Sequence, residues 1–223
     1  MAGRRELNMR RRKRRILEAA TKLISDGGIE ACTMRALARK ARLDVTTLYN
    51  YYGSKEEILE ALRRSGARRL ERQIGKLEET EPFERIRAIV DLTLGVSESP
   101  AELARPINLP KRWRRPGSGP IGVVAKAHLE KELRRAAAGG DMLPSVDPEQ
   151  FALVVLGHAG VWLSLWARRL TDAEETLARV GYLVNLCLLA GSTDASRPGL
   201  EQEMLESQSR LAAIEAALET AAV

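Results

Sequence analysis

At 223 residues the chain is long enough to bury a core without disulfide or metal staples, and 44% apolar with 30% charged residues excludes collagenous, mucin-like and wholly disordered classes. Only 4% is aromatic, and β-branched residues are thin beside Ala, Leu, Arg and Glu, a composition that favours helices. The net charge of +6 is lopsided: residues 1–72 hold 19 Lys and Arg against 9 Asp and Glu, the remainder 17 against 21, so a basic N-terminal third suited to a polyanion such as nucleic acid is joined to a mildly acidic body.

Residues 4–15 carry eight basic side chains against Glu6, which marks 1–15 as a basic arm. From Arg12 onward Ile16, Leu17, Ala20, Leu23 and Ile24 recur at three- and four-residue spacing, so the arm runs into a helix that Gly27-Gly28 stops. Thr33 is placed to cap a short helix through Met34, Leu37 and Ala38 to Lys40 or Ala41, and Asp44 to cap the next, Val45 to Tyr51. The caps are only eleven positions apart, and short helices joined so tightly cross steeply, as in a helix-turn-helix. Ser54 with Glu57 forms a capping box. It opens a helix through Ile58, Leu59, Leu62 and Leu70 to about Leu77, roughly 35 Å long and able to connect head to body.

Pro82 starts another amphipathic helix through Phe83, Ile86, Ile89, Val90 and Leu94. Prolines at 100, 106, 110, 116 and 120 leave room only for a short helix near 101–109 and the loop PKRWRRPGSGP. A helix with a strongly charged face follows, Ile121 to Ala138, ended by Gly139-Gly140. Asp147-Pro148-Glu149 is a helix start, Asp as cap and Pro at the first position. Phe151 to Ala167 holds no Asp, Glu, Lys or Arg over 17 residues, the short limit of a membrane span of about 17–25. His158, two glycines, Ser164 and the lack of a second such segment favour burial instead, one face in the domain and the other in a partner. The next helix starts at Thr171 or Asp172, is densely apolar through Leu188, and lies antiparallel to its predecessor. Residues 191–199 read as a polar linker. Leu200, Met204, Leu211, Ile214 and Leu218 mark a last amphipathic helix, too short in register for a coiled coil. The expected fold is all-α: arm 1–15, helix-turn-helix head 12–57, helical body 58–190, and linker with C-terminal helix 191–223.

The short helix Val45 to Tyr51 offers Thr46, Thr47, Tyr49, Asn50 and Tyr51 while Leu48 and Tyr52 face inward. A helix fits the DNA major groove, where hydroxyl, amide and phenol groups reach base edges or phosphates. Thr33 and Arg35 begin the preceding helix and Lys55 the following one, and free N–H groups at helix starts bind phosphate with help from such side chains. The arm, Arg10, Arg11, Arg12, Lys13 and Arg14 above all, is expected to be disordered at its start when free and to follow the backbone or minor groove when bound. Cys32 and Cys187 read as free thiols outside any ligand spacing, so no metal or cofactor is expected. His128 and His158 accompany no catalytic motif, which argues against an enzyme. The Arg-rich start lacks a leader's apolar stretch, so the expected location is the cytoplasm.

The segment ILEAATKLISDGGIEACTMRALARKARLDVTTLYNYYGSKEEIL, Ile16 to Leu59, resembles the DNA-binding head of the TetR family of bacterial transcriptional regulators, with its Leu48-Tyr49, Tyr52 and Ser54-Lys55 landmarks. The resemblance implies a homodimer built largely by the last two body helices, here Leu156, Leu163, Val180, Leu183, Val184 and Cys187. It implies an effector pocket in the body, for which Val90, Leu94, Trp113, Val124, His128, Trp162 and Trp166 are candidates. It implies phosphate contacts from Thr33, Tyr49 and Lys55 and base reading by Val45, Thr46, Asn50 and Arg35. The family usually has Gly where this chain has Arg42, so either Arg42 is left-handed or the turn differs, and Arg42 itself could contact phosphate. Trp113 among Lys111, Arg112, Arg114 and Arg115 is similar to family members that sense acyl-coenzyme A or other lipophilic carboxylates. The expected function is a dimeric repressor of a palindromic double-stranded DNA operator, released by a small lipophilic effector. A basic protein that coats DNA without sequence preference shares the charge pattern but has no need of the caps, the tight turn or Asn50.

Overall fold

The computed structural model describes residues 2–95 and 116–221, and every regular element among them is helical. In the head, α1 spans Ala2–Ala31, α2 Met34–Ala41 and α3 Val45–Tyr51; α4, Lys55–Ile74, leads into the body of α5 (Pro82–Leu94), α6 (Pro120–Gly139), α7 (Pro148–Ala167), α8 (Ala173–Gly191) and α9 (Arg197–Ala221). Trp113, Lys111, Arg112, Arg114, Arg115 and the short helix expected near 101–109 lie outside the described residues.

Two separate cores hold the molecule. Ile16, Ala20 and Ile24 of α1, Leu37 of α2, Leu48 of α3 and Ile58, Leu59 and Leu62 of α4 form the head core, the apolar stripe that the three- and four-residue spacing places on one face. Farther along α4, Leu70 and Ile74 enter the body core with Ile86, Ile89, Val90, Leu94, Leu129, Leu133, Val155, Val180 and Val184. Each fully buried aliphatic side chain stabilises its core by about 1.5–3 kcal/mol. One 20-residue helix is thus seated at both ends, about 30 Å apart.

Local sequence sets the helix ends as expected in most places. Asp147 accepts hydrogen bonds from the Glu149 and Gln150 amides, Asp172 from Glu175, and Ser54 from Glu57. Glu57 reaches back to the amide of Gly53, at 3.0 Å, rather than to that of Ser54. Asp44 stands at the start of α3 without a side-chain capping bond. At Gly27-Gly28 the chain does not stop. It kinks, with Gly28 at φ 73°, and resumes a turn to Ala31. The arm departs furthest from expectation: α1 is helical from Ala2, because Arg, Glu, Leu and Met are good helix formers and Arg10–Glu6 and Arg14–Glu18 pair one turn apart at 2.7 and 3.3 Å.

The expected linker 191–199 is also shorter than its polarity suggests. Helix α8 reaches Gly191, Met142 and Ser192 form an isolated β-bridge, and α9 begins at Arg197. A Cβ at Gly191 would lie 2.6 Å from the Met142 sulfur and 2.9 Å from a Val146 methyl, so a larger residue at this crossing would have to displace both side chains. Among the described residues no helix is long and apolar enough to cross a membrane. Helix α7 instead buries Phe151, Ala152, Val155, Leu156, Ala159 and Trp166 and leaves Val154 and Val161 exposed by 55% and 42%.

Candidate nucleic-acid interface

Helix α3 is fixed from behind. Leu48 is wholly buried and Tyr52 nearly so, and both pack into the head core. With that face anchored, helical periodicity turns Val45, Thr46, Tyr49 and Asn50 to solvent and leaves Thr47 and Tyr51 half-buried. The face so presented is a valine methyl pair, a hydroxyl, a phenol and a carboxamide, groups that contact thymine methyls, base edges and phosphates in a major groove.

The platform around it is cationic. Thr33 is exposed at the start of α2, its Oγ1 accepting the Ala36 amide at 3.2 Å, and Arg35 is exposed in the first turn. At the start of α4, the Lys55 ammonium donates to the Ile29 carbonyl at 2.6 Å. One of its three donors is thereby used to hold it beside the chain leaving α1. The arm helix contacts α3 and its neighbours: Arg12 donates to the Tyr51 hydroxyl at 3.3 Å, and Lys13 lies 5.8 Å from the centre of the Tyr52 ring. Arg10, Arg11 and Arg14 are exposed.

The turn between α2 and α3 resolves the question that Arg42 poses. Its backbone is left-handed, φ 52° and ψ 56°, and closes α2 by donating to the carbonyls of Ala38 and Arg39. The Leu43 amide also bonds Ala38 O at 2.9 Å, the paired pattern that terminates helices. Arg15, which sequence reasoning did not single out, caps a further carbonyl: it donates to Ala41 O at 2.6 Å. The signal for it is faint, one more arginine in a basic run, and only the packing of α1 on α2 identifies the acceptor. Cys32 is buried among these helices, and burial pushes its thiol up despite the nearby Lys55. It is a core side chain.

The body residues are redistributed. Val90 and Leu94 are buried in the core with Val124 and Trp162 packed at its edge, and Trp166 is fully buried. His128 does not turn toward them: its Nε2 lies 3.1 and 3.2 Å from the two Glu71 oxygens, tying α6 to α4. Of the residues assigned to a subunit interface, Leu156, Val180 and Val184 are buried within the subunit, because their stripe faces the body core; Leu163, Leu183 and Cys187 are half-buried. Apolar side chains that do face outward on α7 and α8 are Val154, Val161 and Leu186.

Residues 16–62 match the family model of bacterial regulatory proteins, tetR family. Over 185 residues the chain is 29% identical to the HTH-type transcriptional repressor KstR of Rhodococcus jostii, covering 81% of this chain and 84% of that one. Solved structures share its fold. One is RolR in complex with resorcinol, TM-score 0.66 at 11% identity, covering 89% of this chain and 95% of that one. Another is the transcriptional regulator FadR of Bacillus subtilis in complex with stearoyl-CoA, TM-score 0.61 at 18% identity, covering 78% and 96%.

Proposed function

The chain belongs to the TetR family of bacterial regulatory proteins, and from that premise we propose that it is a repressor that binds a palindromic operator as a homodimer in the cytoplasm and is released by a small lipophilic effector. The observation that carries this reading is the exposure of Thr46 and Asn50 on a helix whose opposite face, Leu48, is locked into the head core. In this reading Val45, Thr46, Asn50 and Arg35 read bases, and Thr33, Thr47, Tyr49, Tyr51 and Lys55 hold phosphates with the arm's Arg10, Arg11, Arg12, Lys13 and Arg14.

The effector site belongs to the body, bordered by Val90, Leu94, Val124, Trp162 and Trp166. The ligands bound by the fold neighbours, resorcinol and stearoyl-CoA, support an effector with an apolar body, and they set the first compounds to try. An effector that favours one arrangement of the body moves α4 and with it the spacing of the two α3 helices, which must match half-sites about 34–36 Å apart or a multiple. A coupling of about 1–3 kcal/mol yields a 5- to 150-fold change in operator affinity.

Footprinting on the DNA that flanks the protein's own gene tests the first half. A protected palindrome, with preference over random duplex of roughly 10³ or more, is the expected result; equal affinity for both would favour the coating protein. Titrating the footprinted complex with stearoyl-CoA and resorcinol, followed by a wider panel of lipophilic carboxylates, tests the second. Unchanged operator affinity across that panel would remove the effector from the account.

A further inference from the structure

Helix α4 has a stretch that belongs to neither core. Leu62 is its last side chain in the head core and Leu70 its first in the body core, and Ser65 and Gly66 stand between them. A Gly/Ser pair is a place where helices kink, because glycine leaves the backbone most freedom. Helix α6 lies against this stretch. We propose that Ser65-Gly66 is the flex point of α4, that Ile121 and His128 of α6 splint it, and that the splint fixes which half-site spacing the dimer accepts. The inference rests on the regulator reading above and names the residues that set one part of its specificity.

Three observations carry it. First, the splint is rooted in the body: α6 buries Leu129, Leu133 and Ala136 in the body core. Second, the face that α6 turns to α4 repeats every two turns. Ile121, His128 and Arg135 are seven residues apart, and they meet Gly66, Glu71 and Thr80 in the same order. A Cβ at Gly66 would lie 3.2 Å from Ile121 Cδ1, so the two helices touch at the flex point itself. Just beyond it the His128 Nε2–H donates to the Glu71 carboxylate, which can only accept, at 3.1 and 3.2 Å. Past the end of α4, Arg135 donates to the Thr80 carbonyl at 3.0 Å. Third, the stretch has leverage. Gly66 stands eleven residues past Lys55, a lever of roughly 16 Å. One base pair added between half-sites moves them about 3.4 Å apart and turns them by about a tenth of a turn. Shared by two subunits, that translation asks for a bend of only about 6° at each Gly66. The stiffness of this one stretch therefore decides whether a wrong spacing is tolerated.

The test measures affinity of the full-length protein for the palindrome footprinted beside its own gene, for the same palindrome with one base pair added or removed at its centre, and for a single half-site. Wild type should bind the native spacing best. His128→Ala and Glu71→Ala each remove the hydrogen bond and should cut the preference for native over altered spacing by about two- to tenfold, with affinity for the single half-site unchanged. His128→Gln should keep the wild-type preference, because a glutamine amide nitrogen also donates and stands where the ring Nε2 does. Gly66→Ala stiffens the helix, and the Ile121 methyl, the end of a flexible side chain, has only to give way slightly; this variant should sharpen the preference by about two- to fivefold. Melting curves establish that each variant is folded at the assay temperature. The same spacing preference in wild type, both alanine variants and Gly66→Ala overturns the splint alone. Half-site affinity that falls in step with palindrome affinity would make the His128–Glu71 contact a support of the head and likewise overturn it. A wild type that binds neither palindrome nor half-site overturns the regulator reading and the splint together.

Discussion

Arg42 holds a conformation that costs an L-residue about 1–2 kcal/mol, and its side chain is exposed, so no packing offsets that cost. Arg42→Gly should therefore raise stability by roughly 0.5–1 kcal/mol once the extra freedom of glycine in the unfolded chain is set against the relieved strain, read by chemical denaturation. A stabilised protein that binds DNA less well would separate the two roles of this position. His158 offers a second prediction. Burial lowers its pKa, opposed by its hydrogen bond to the Arg179 carbonyl; a carbonyl only accepts, so the Nε2–H donates, at 3.3 Å. As pH falls through about 6.5 the unfolded chain takes up this proton first, so folded stability declines below that pH and levels off once the folded imidazole is protonated too. The Tm advantage of wild type over His158→Gln should narrow from neutral to acid pH; an unchanged gap would show that the ring does not titrate in this way.

Among the elements, α4 is the member on which both halves depend, and two polar clusters set how firmly its surroundings hold. Glu132 of α6, 1% exposed, accepts from Arg85 at 3.3 Å and pairs with Arg135. Arg85 in turn donates to the carbonyls of Leu77 and Glu79, and Arg135 to that of Thr80. The chain between α4 and α5 is thus clasped to α6. Glu132→Ala leaves Arg85 and Arg135 with backbone carbonyls alone and should cost about 2 kcal/mol, a fall in Tm of roughly 4–8 °C for a chain of this size. The second cluster fastens α9. Asn185 of α8 accepts from Arg87 at 2.7 Å and donates to Ser207 at 2.8 Å, while Arg87 pairs with Glu203. Burial pushes the Arg87 guanidinium down and the Glu203 carboxyl up, yet an arginine stays charged at any ordinary pH. Asn185→Ala should cost about 2 kcal/mol by stripping a buried donor of its acceptor and should raise hydrogen exchange across α9 before the rest of the body. Neither cluster is visible in the sequence, where Glu132 and Asn185 sit in helices as ordinary polar residues; only the crossing of three helices encloses them.

At the scale of the whole molecule two surfaces of opposite chemistry stand out among the described residues: the cationic head and a set of exposed apolar positions on α7 and α8. Val154 and Val161 lie seven residues apart on one side of α7, and Leu186 is 41% exposed on α8. In the dimer proposed above, these positions meet a second copy. Val154→Glu with Val161→Glu should then yield a helical monomer by light scattering, with affinity for the palindromic duplex lost far more than affinity for a single half-site. Dimers that persist would move the interface elsewhere.

Much of the architecture was legible from residue order alone: helix periodicity, the caps at Thr33, Ser54 and Asp147, and the tight pair with Leu48 inward and Asn50 outward. These are local properties, set by a side chain and the backbone within a turn of it, and they survive translation into three dimensions unchanged. The inward stripe of α8, the encounter of His128 with Glu71 and the helical arm against α3 came only with the tertiary structure. Each depends on which faces of distant helices meet, and spacing along one helix says that a stripe is buried without saying what buries it.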